Sequence, residues 1–323
     1  MDDPTPPCRR PRFHELNRPA EDVATALLAG LRADPPAIPP RYFYDALGSR
    51  LFEAICELPE YYPTRTEAAI FAAHGRAIAA TAGAGSTLID LGAGDCEKAA
   101  RLFDLLQPAQ YVALDIAAGF LRERLDCLQD RFPALDMTGV ATDFSEQLDL
   151  PPWVSPARRL FFYPGSSIGN FSPDEARQFL QRVRQAAGEQ GQLLIGVDLV
   201  KDAPILDAAY DDALGVTAAF NRNLLNHVNR LAGTDFDVRD WRHVAFFNSE
   251  RARIEMHLEA RRDVVVRAAS GALRFAAGTR IHTENSWKYT LDGFAQLLAT
   301  AGFRTRQHWT DRAGWFAVFL AGA

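Results

Sequence analysis

From Ser86 onward the chain alternates short β-branched or apolar runs with helical stretches, and this rhythm leaves few folds open. Strands joined by crossover helices lie parallel in a single sheet that is buried on both faces. Residues 87–91, 111–114, 137–141, 159–163 and 192–198 predict the strands, and 97–106, 117–129 and 173–187 predict the helices between them. The pattern is that of a doubly wound α/β core. A chain of 323 residues has room for such a core and one smaller unit beside it.

A helical preface precedes the sheet. Residues 1–19 read as a flexible arm, 20–31 as a helix, and Asp34-Pro35-Pro36-Ala37-Ile38-Pro39-Pro40 as a stiff connector. Residues 46–57 carry Leu47, Leu51, Phe52 and Ile55 at helical spacing and close on Leu58-Pro59; an Ala-rich helix follows over about 67–82. Beyond the sheet the rhythm breaks. Residues 205–231 predict one long helical stretch, and 253–259, 263–267 and 272–275 predict short strands, so 199–286 is expected to form an inserted, smaller α+β domain that binds substrate. A helix over 290–300 and strands over 304–309 and 315–320 bring the chain back to the sheet. They make an antiparallel closing hairpin, and in this the chain resembles the class I (Rossmann-like) methyltransferase fold. The expected division is an N-terminal helical part of the core over 1–64, a helix associated with the second domain over 65–83, core over 84–198, insertion over 199–286 and the C-terminal part of the core over 287–323.

Composition narrows the function. Lys plus Arg number 35 against 41 Asp plus Glu, a net charge of −6, which argues against nucleic acid or an anionic membrane as partner. No run approaches 18 apolar residues, so no membrane span is expected. Cys8, Cys56, Cys96 and Cys127 lie far apart, and none of the seven histidines forms an HxxxH pair, so neither a disulfide framework nor a metal site is expected. The opening MDDPTPPCRRPRF does not resemble a signal peptide, and reduced thiols point to a cytoplasmic protein. Without an apolar heptad seam, the expected state is a monomer.

The segment Asp90-Leu91-Gly92-Ala93-Gly94 follows a predicted strand and precedes a helix, where glycines allow a tight turn and close approach of backbone to a nucleotide. Position 97, where a dinucleotide fingerprint needs its third glycine, holds Glu97, so the loop suits an adenosyl nucleoside better than a pyrophosphate. The next strand ends in Asp115, 21 residues beyond Gly94, where a carboxylate can take ribose hydroxyls. A third ends in Thr142-Asp143-Phe144, which offers an acceptor for an adenine amino group and a ring to stack nearby. Taken singly, the Gly-x-Gly is equally a tight turn and Asp115 equally a helix cap.

The segment from Leu58 to Glu67, LPEYYPTRTE, closely resembles the histidine Nα-methyltransferases of ergothioneine biosynthesis. The likeness continues through YPGSSIGNF at 163–171, GVDLVKD at 196–202, AYDDA at 209–213, TAAFNRN at 217–223, RIEM at 253–256 and ENSWKY at 284–289. It implies S-adenosylmethionine as methyl donor, leaving as S-adenosylhomocysteine, no metal, and free L-histidine as acceptor, trimethylated to hercynine. On this resemblance Gly92, Gly94, Lys98, Asp115, Asp143, Phe144 and Gly165 would hold the donor. Tyr61, Asn170 and Tyr210 would hold the acceptor's carboxylate, with Ser167 beside them. Glu284 and Ser286 would bind the imidazole, Met256 would pack on it, and Tyr44 would sit beside the reacting amine. Asp95 departs from the pattern, which is expected to carry a hydroxyl residue there, and Ser167 stands where some relatives carry threonine.

Methyl transfer from a sulfonium asks for positioning and desolvation rather than an acid–base dyad. The product is a quaternary ammonium, which suits aromatic faces, and Tyr44, Tyr61, Phe220 and Phe246 are the candidates. Asn170 and two tyrosines can hold a carboxylate without adding a cation that would repel the sulfonium, and Glu284 can accept from an imidazole N–H. An indole has less use for that carboxylate. Each residue also has an ordinary reading: Tyr61, Tyr210 and Met256 as packing, Asn170 as a turn, Glu284 and Ser286 as a solvated loop. Methylation of tryptophan or prenylated tryptophan, and donor binding without catalysis, are the alternatives on the same fold.

Overall fold

The computed structural model describes residues 9–16, 20–145 and 147–323. Strands β1 (Arg12–Glu15), β2 (Thr87–Leu91), β3 (Gln110–Asp115), β4 (Asp136–Ala141), β5 (Arg159–Tyr163) and β6 (Gln192–Asp198) come first along the chain. They are followed by β7 (Trp241–Asn248), β8 (Arg253–Ala260), β9 (Val264–Val266), β10 (Leu273–Phe275), β11 (Arg280–Trp287), β12 (Arg304–Thr310) and β13 (Phe316–Gly322). The helices are α1 (Ala20–Arg32), α2 (Ala46–Cys56), α3 (Tyr62–Ala82), α4 (Glu97–Ala100), α5 (Phe103–Leu106), α6 (Ala118–Arg131), α7 (Pro173–Ala187), α8 (Ala203–Tyr210), α9 (Val216–Ala232) and α10 (Leu291–Thr300).

An eight-stranded sheet runs in the order β1-β4-β3-β2-β5-β6-β13-β12. The first six strands are mutually parallel, while β13 lies antiparallel between β6 and β12. This is the doubly wound sheet with its closing hairpin. Strand order reverses at β2, which has β3 on one side and β5 on the other, and ligands of such sheets sit outside the carboxyl ends at that reversal. Helices α7 and α10 cover one face through Phe179, Leu180, Phe294 and Leu298. The other face is covered by α3, α5 and α6 through Ile70, Phe103, Leu121 and Leu125.

Part of the expected flexible arm is a strand. β1 pairs in register from Arg12 with Thr138 to Glu15 with Ala141, and Arg12 donates to both oxygens of Asp136 at 2.8 and 2.7 Å. A three-to-four-residue run is too short to show a period, which is why it reads as arm. The rest of that arm, residues 1–8 and 17–19 with Cys8, lies outside the described residues.

The hydrophobic clusters divide differently from the expected boundaries. Leu27, Leu31, Phe43 and Ile55 of the N-terminal segment share one core with Leu206, Phe220, Leu224, Ile254 and Leu258, so residues 20–62 pack with the inserted unit. Helix α3, expected to go with the second domain, lies on the sheet through Ile70, Ile78 and Ala82. Its buried face carries Glu67, Ile70, Gly75, Ile78 and Ala82, and most of its alanines face outward, whereas aliphatic residues of α1 and α2 share the core of α9.

The expected single helix over 205–231 is broken. Asp212 accepts from the backbone N–H groups of Val216 at 2.9 Å and Thr217 at 2.7 Å, and Gly215 with φ +75° starts α9 afresh. Tyr210, at the end of α8, borders the same cavity as Thr217 and Phe220 in the first turns of α9. The helix expected over 97–106 is likewise two single turns, α4 and α5.

In the inserted unit β11, β8 and β7 form an antiparallel sheet. Its strand β11 carries a bulge between His282 and Glu284: His282 pairs with His257, but Glu284 already pairs with Met256. The extra residue, Thr283, shifts the phase of side chains, so Ile281 on one side of the bulge and Glu284 and Ser286 on the other all face inward.

Among the described residues no helix is long and apolar enough to cross a membrane. Cys56, Cys96 and Cys127 are free thiols.

Candidate active site

The carboxyl ends of β2, β3, β4 and β5 bring the expected donor residues to one crevice. Gly92 follows β2 with φ +73°, and a Cβ built on it would stand 3.6 Å from the Phe144 ring, so glycine keeps a slot open beside that ring. Asp115 closes β3; its oxygens accept from the N–H groups of Gly94 and Ala117, both at 2.9 Å. Burial raises its pKa, and the two N–H groups oppose that rise. Each oxygen retains a lone pair for a diol. Asp143 accepts from Ser145 and, at 3.1 Å, from Arg41 on the N-terminal segment. A slot bordered by glycine and an aromatic ring, with a carboxylate on each of two neighbouring strands, suits an adenosyl nucleoside.

Glu67 of α3 reaches the same crevice and was not among the residues singled out from the sequence. One of its oxygens accepts from Lys98 at 2.9 Å and the other from the N–H of Gly165 at 2.7 Å. Burial lowers the Lys98 pKa, and Glu67 more than offsets this, leaving it raised. Gly165, with φ +78°, could carry a Cβ only 3.1 Å from the Lys98 ammonium.

Next to this crevice lies a cavity bounded by Tyr44, Tyr61, Gly165, Ser167, Asn170, Tyr210, Met256, Glu284 and Ser286. Every expected acceptor residue therefore borders one space, and Gly165 joins it to the donor crevice. Asn170 ends a short 3-10 turn, Ser167–Asn170, that lies so close to β11 that a Cβ on Gly169 would meet the carbonyl of Trp287 at 2.8 Å.

The cavity's upper wall is aromatic. Tyr44 lies edge-on to Phe52 and Phe220 at centroid distances of 5.7 and 5.9 Å, and Phe52 and Phe220 are 6.0 Å apart. Tyr61 meets Phe52 and Tyr210, each at 6.2 Å. Phe246 is not part of this wall: it sits on the other face of β7, stacked on His257 at 5.7 Å, because its position in the strand points it outward. Phe52, Ile55 and Thr217 line the cavity in addition to the expected set.

Glu284 is 9 % exposed, and among the described residues its carboxylate has no hydrogen-bond partner. Burial pushes its pKa up to about 7, against the pull of Lys288. Tyr44 is held as a neutral hydroxyl, its pKa raised by burial and then by Glu284.

Beneath the floor lies a buried ionic cluster centred on Asp198, which is 1 % exposed. Asp198 pairs with Lys201 at 2.6 Å and Lys288 at 2.8 Å, and accepts from the Tyr62 hydroxyl at 2.6 Å. Lys288 also donates to Ser286 at 2.8 Å and to Tyr210 at 3.1 Å, and the Tyr210 hydroxyl is 2.8 Å from Ser286. Burial lowers the Lys201 pKa to about 8 despite Asp198. For Lys288 burial acts the same way, but Asp198 and Tyr210 outweigh it and the ammonium is firmly charged. The Lys in ENSWKY and the Asp in GVDLVKD are visible in the sequence, but only the fold brings them together.

A family description reading "histidine-specific methyltransferase, SAM-dependent" matches residues 23–323. The chain is 44 % identical over 308 residues to a protein named histidine N-alpha-methyltransferase from Mycolicibacterium smegmatis, covering 94 % of this chain and 95 % of that one. Its counterpart of the same name from Mycobacterium tuberculosis is 42 % identical over 299 residues, covering 91 % and 92 %. Ergothioneine biosynthesis protein 1 of Neurospora crassa is 31 % identical over 289 residues, which are 85 % of this chain and 32 % of that longer protein.

Proposed function

The chain belongs to the histidine-specific, S-adenosylmethionine-dependent methyltransferases, and from that premise we propose that it methylates the α-amine of free L-histidine three times, yielding hercynine for ergothioneine biosynthesis. One observation carries this reading: the buried, unpartnered carboxylate of Glu284 faces the same cavity as Tyr61, Asn170 and Tyr210. An amino acid laid between them would have its carboxylate on neutral donors and its side chain on an acceptor.

S-adenosylmethionine, when bound, supplies a methyl group on a positively charged sulfur. Gly92, Gly94, Asp115, Asp143 and Phe144 would hold its adenosyl part, and Gly165 and Lys98 its amino-acid end. Tyr61, Asn170 and Tyr210 would hold the carboxylate of histidine, with Ser167 alongside. Glu284 and Ser286 would take the two imidazole nitrogens, and Met256 would pack on the ring.

The α-amine has a pKa of roughly 8 in water and must shed its proton before it can attack. The low polarity around Tyr44 favours the neutral amine, and the Tyr44 hydroxyl can accept from one of its N–H bonds and so turn the lone pair towards Gly165. As methyl groups accumulate, Tyr44, Phe52 and Phe220 offer ring faces to a growing cation.

Mass spectrometry of the purified protein mixed with S-adenosylmethionine and an equimolar amino-acid pool tests the reading. Histidine gaining three methyl masses is the expected result. Gain by a different amino acid would overturn the role of Glu284, and no product at all would favour a binding protein without catalysis.

A further inference from the structure

We propose that Lys288 is the buried counter-cation for the acceptor's carboxylate, acting through the hydroxyl of Tyr210. This rests on the amino-acid reading of the cavity and adds a residue that does not itself border it.

Lys288 has a wholly buried side chain, and its three N–H donors meet three acceptors: Asp198 at 2.8 Å, Ser286 at 2.8 Å and Tyr210 at 3.1 Å. An ammonium only donates. Each hydroxyl oxygen therefore spends a lone pair on Lys288, and its own proton must be placed elsewhere. The two hydroxyls are 2.8 Å apart, so one proton can close the gap between them while the other faces the cavity. When a carboxylate arrives, the Tyr210 proton can turn to it, and the Ser286 proton is left for an imidazole nitrogen. Lys288 thus fixes this wall of the cavity as a donor surface.

Charge points the same way. The cluster holds two lysines, Lys201 and Lys288, against the single carboxylate of Asp198. Lys201 turns its donors to Asp198, Tyr62 and the carbonyl of Leu199, none of which borders the cavity. The surplus positive charge is therefore felt in the cavity through Lys288. Among the described residues that border the cavity the one charged group is Glu284, an anion, which by itself would repel a carboxylate. Placing the cation one hydroxyl behind the wall attracts the carboxylate while keeping an exposed ammonium away from the donor's sulfonium. Lys288 is thus a positioning residue that sets which end of the acceptor goes where.

The test compares L-histidine with L-histidinol, which keeps imidazole and amine but lacks the carboxylate, by calorimetry on protein saturated with S-adenosylhomocysteine. In Lys288→Met, Asp198 retains Lys201 and Tyr62, and Glu284, which loses the pull of Lys288, faces the imidazole that both ligands share. Histidine affinity is expected to fall about tenfold or more while histidinol changes by about twofold or less, so that the wild-type preference collapses. Lys288→Gln keeps a donor but removes the charge, is the variant to use if the Met form does not fold, and should show the same collapse. An equal loss for both ligands would mark Lys288 as merely structural, and an undiminished preference for histidine in either variant would overturn the proposal. Wild-type protein with no preference for histidine over histidinol would instead overturn the acceptor reading itself, and this inference with it.

Discussion

Glu67 joins Lys98 to Gly165, one carboxylate oxygen accepting from each, at 2.9 and 2.7 Å. The helix on the back of the sheet therefore holds both the loop after β2 and the turn after β5. Glu67→Ala should cost about 1–3 kcal/mol of stability, since the Gly165 N–H loses its partner. It should also weaken S-adenosylhomocysteine binding more than histidine binding. Thermal unfolding and calorimetry on the same samples separate the two effects, and unaltered cofactor affinity would remove Glu67 from the donor site.

Glu284 gives a pH dependence of definite sign. Its carboxyl rises from the ordinary 4.5 to about 7 in the folded protein through burial. Between those values the folded state binds more protons than the unfolded one, so Glu284 makes the ligand-free protein less stable as pH rises from about 4.5 to about 7. Glu284→Gln should remove this slope, raising the melting temperature at pH 8 while leaving it nearly unchanged at pH 4.5. Histidine turnover should fall in the same variant. A melting profile parallel to wild type across this range would contradict the shift.

The aromatic wall predicts a change in product rather than in rate alone. Phe220→Leu should slow the last transfer most, because only then is a full quaternary cation formed against the ring, with a loss of roughly 0.5–2 kcal/mol. Mono- and dimethylhistidine should then build up in a time course followed by mass spectrometry. If all three transfers slow in equal proportion, Phe220 serves packing only.

At Gly92 the expected effect lies in backbone. Gly92→Ala would place a Cβ at φ +73°, a left-handed conformation costing about 1–2 kcal/mol for other residues, and set it 3.6 Å from Phe144. Cofactor affinity should drop while the sheet stays folded by circular dichroism.

Much of this is legible in the sequence alone. The parallel strands, the closing hairpin and α7 follow from periodicity and caps; α7, for instance, begins at the capping box of Ser172 and Glu175. What escaped had physical reasons. Strand β11 does not alternate, because the bulge at Thr283 shifts its phase, so Glu284 and Ser286 could equally have been loop. The helix over 205–231 looked continuous because the break depends on Asp212 capping α9. Glu67 and Arg41 are ordinary surface residue types whose partners lie far away in the chain: Glu67 and Lys98 are 31 positions apart, Arg41 and Asp143 are 102. Asp198 and Lys288 likewise meet each other only across the fold. Phe246 failed for the opposite reason, since an aromatic in a predicted pocket unit carries no mark of which sheet face it occupies.

The bulge has a consequence for how such a pocket can diversify. Strand β11 is read in two frames, one through Ile281 and the other from Glu284 onward, with Thr283 as the slip between them. Kept in the first frame throughout, the same letters would present Thr283 and Asn285 to the acceptor, a hydroxyl and an amide, and turn the acid out to solvent. Relatives that differ in substrate thus have a route besides substitution within the motif: losing the bulge at constant length rewrites the chemistry of the wall while every residue of the motif stays the same.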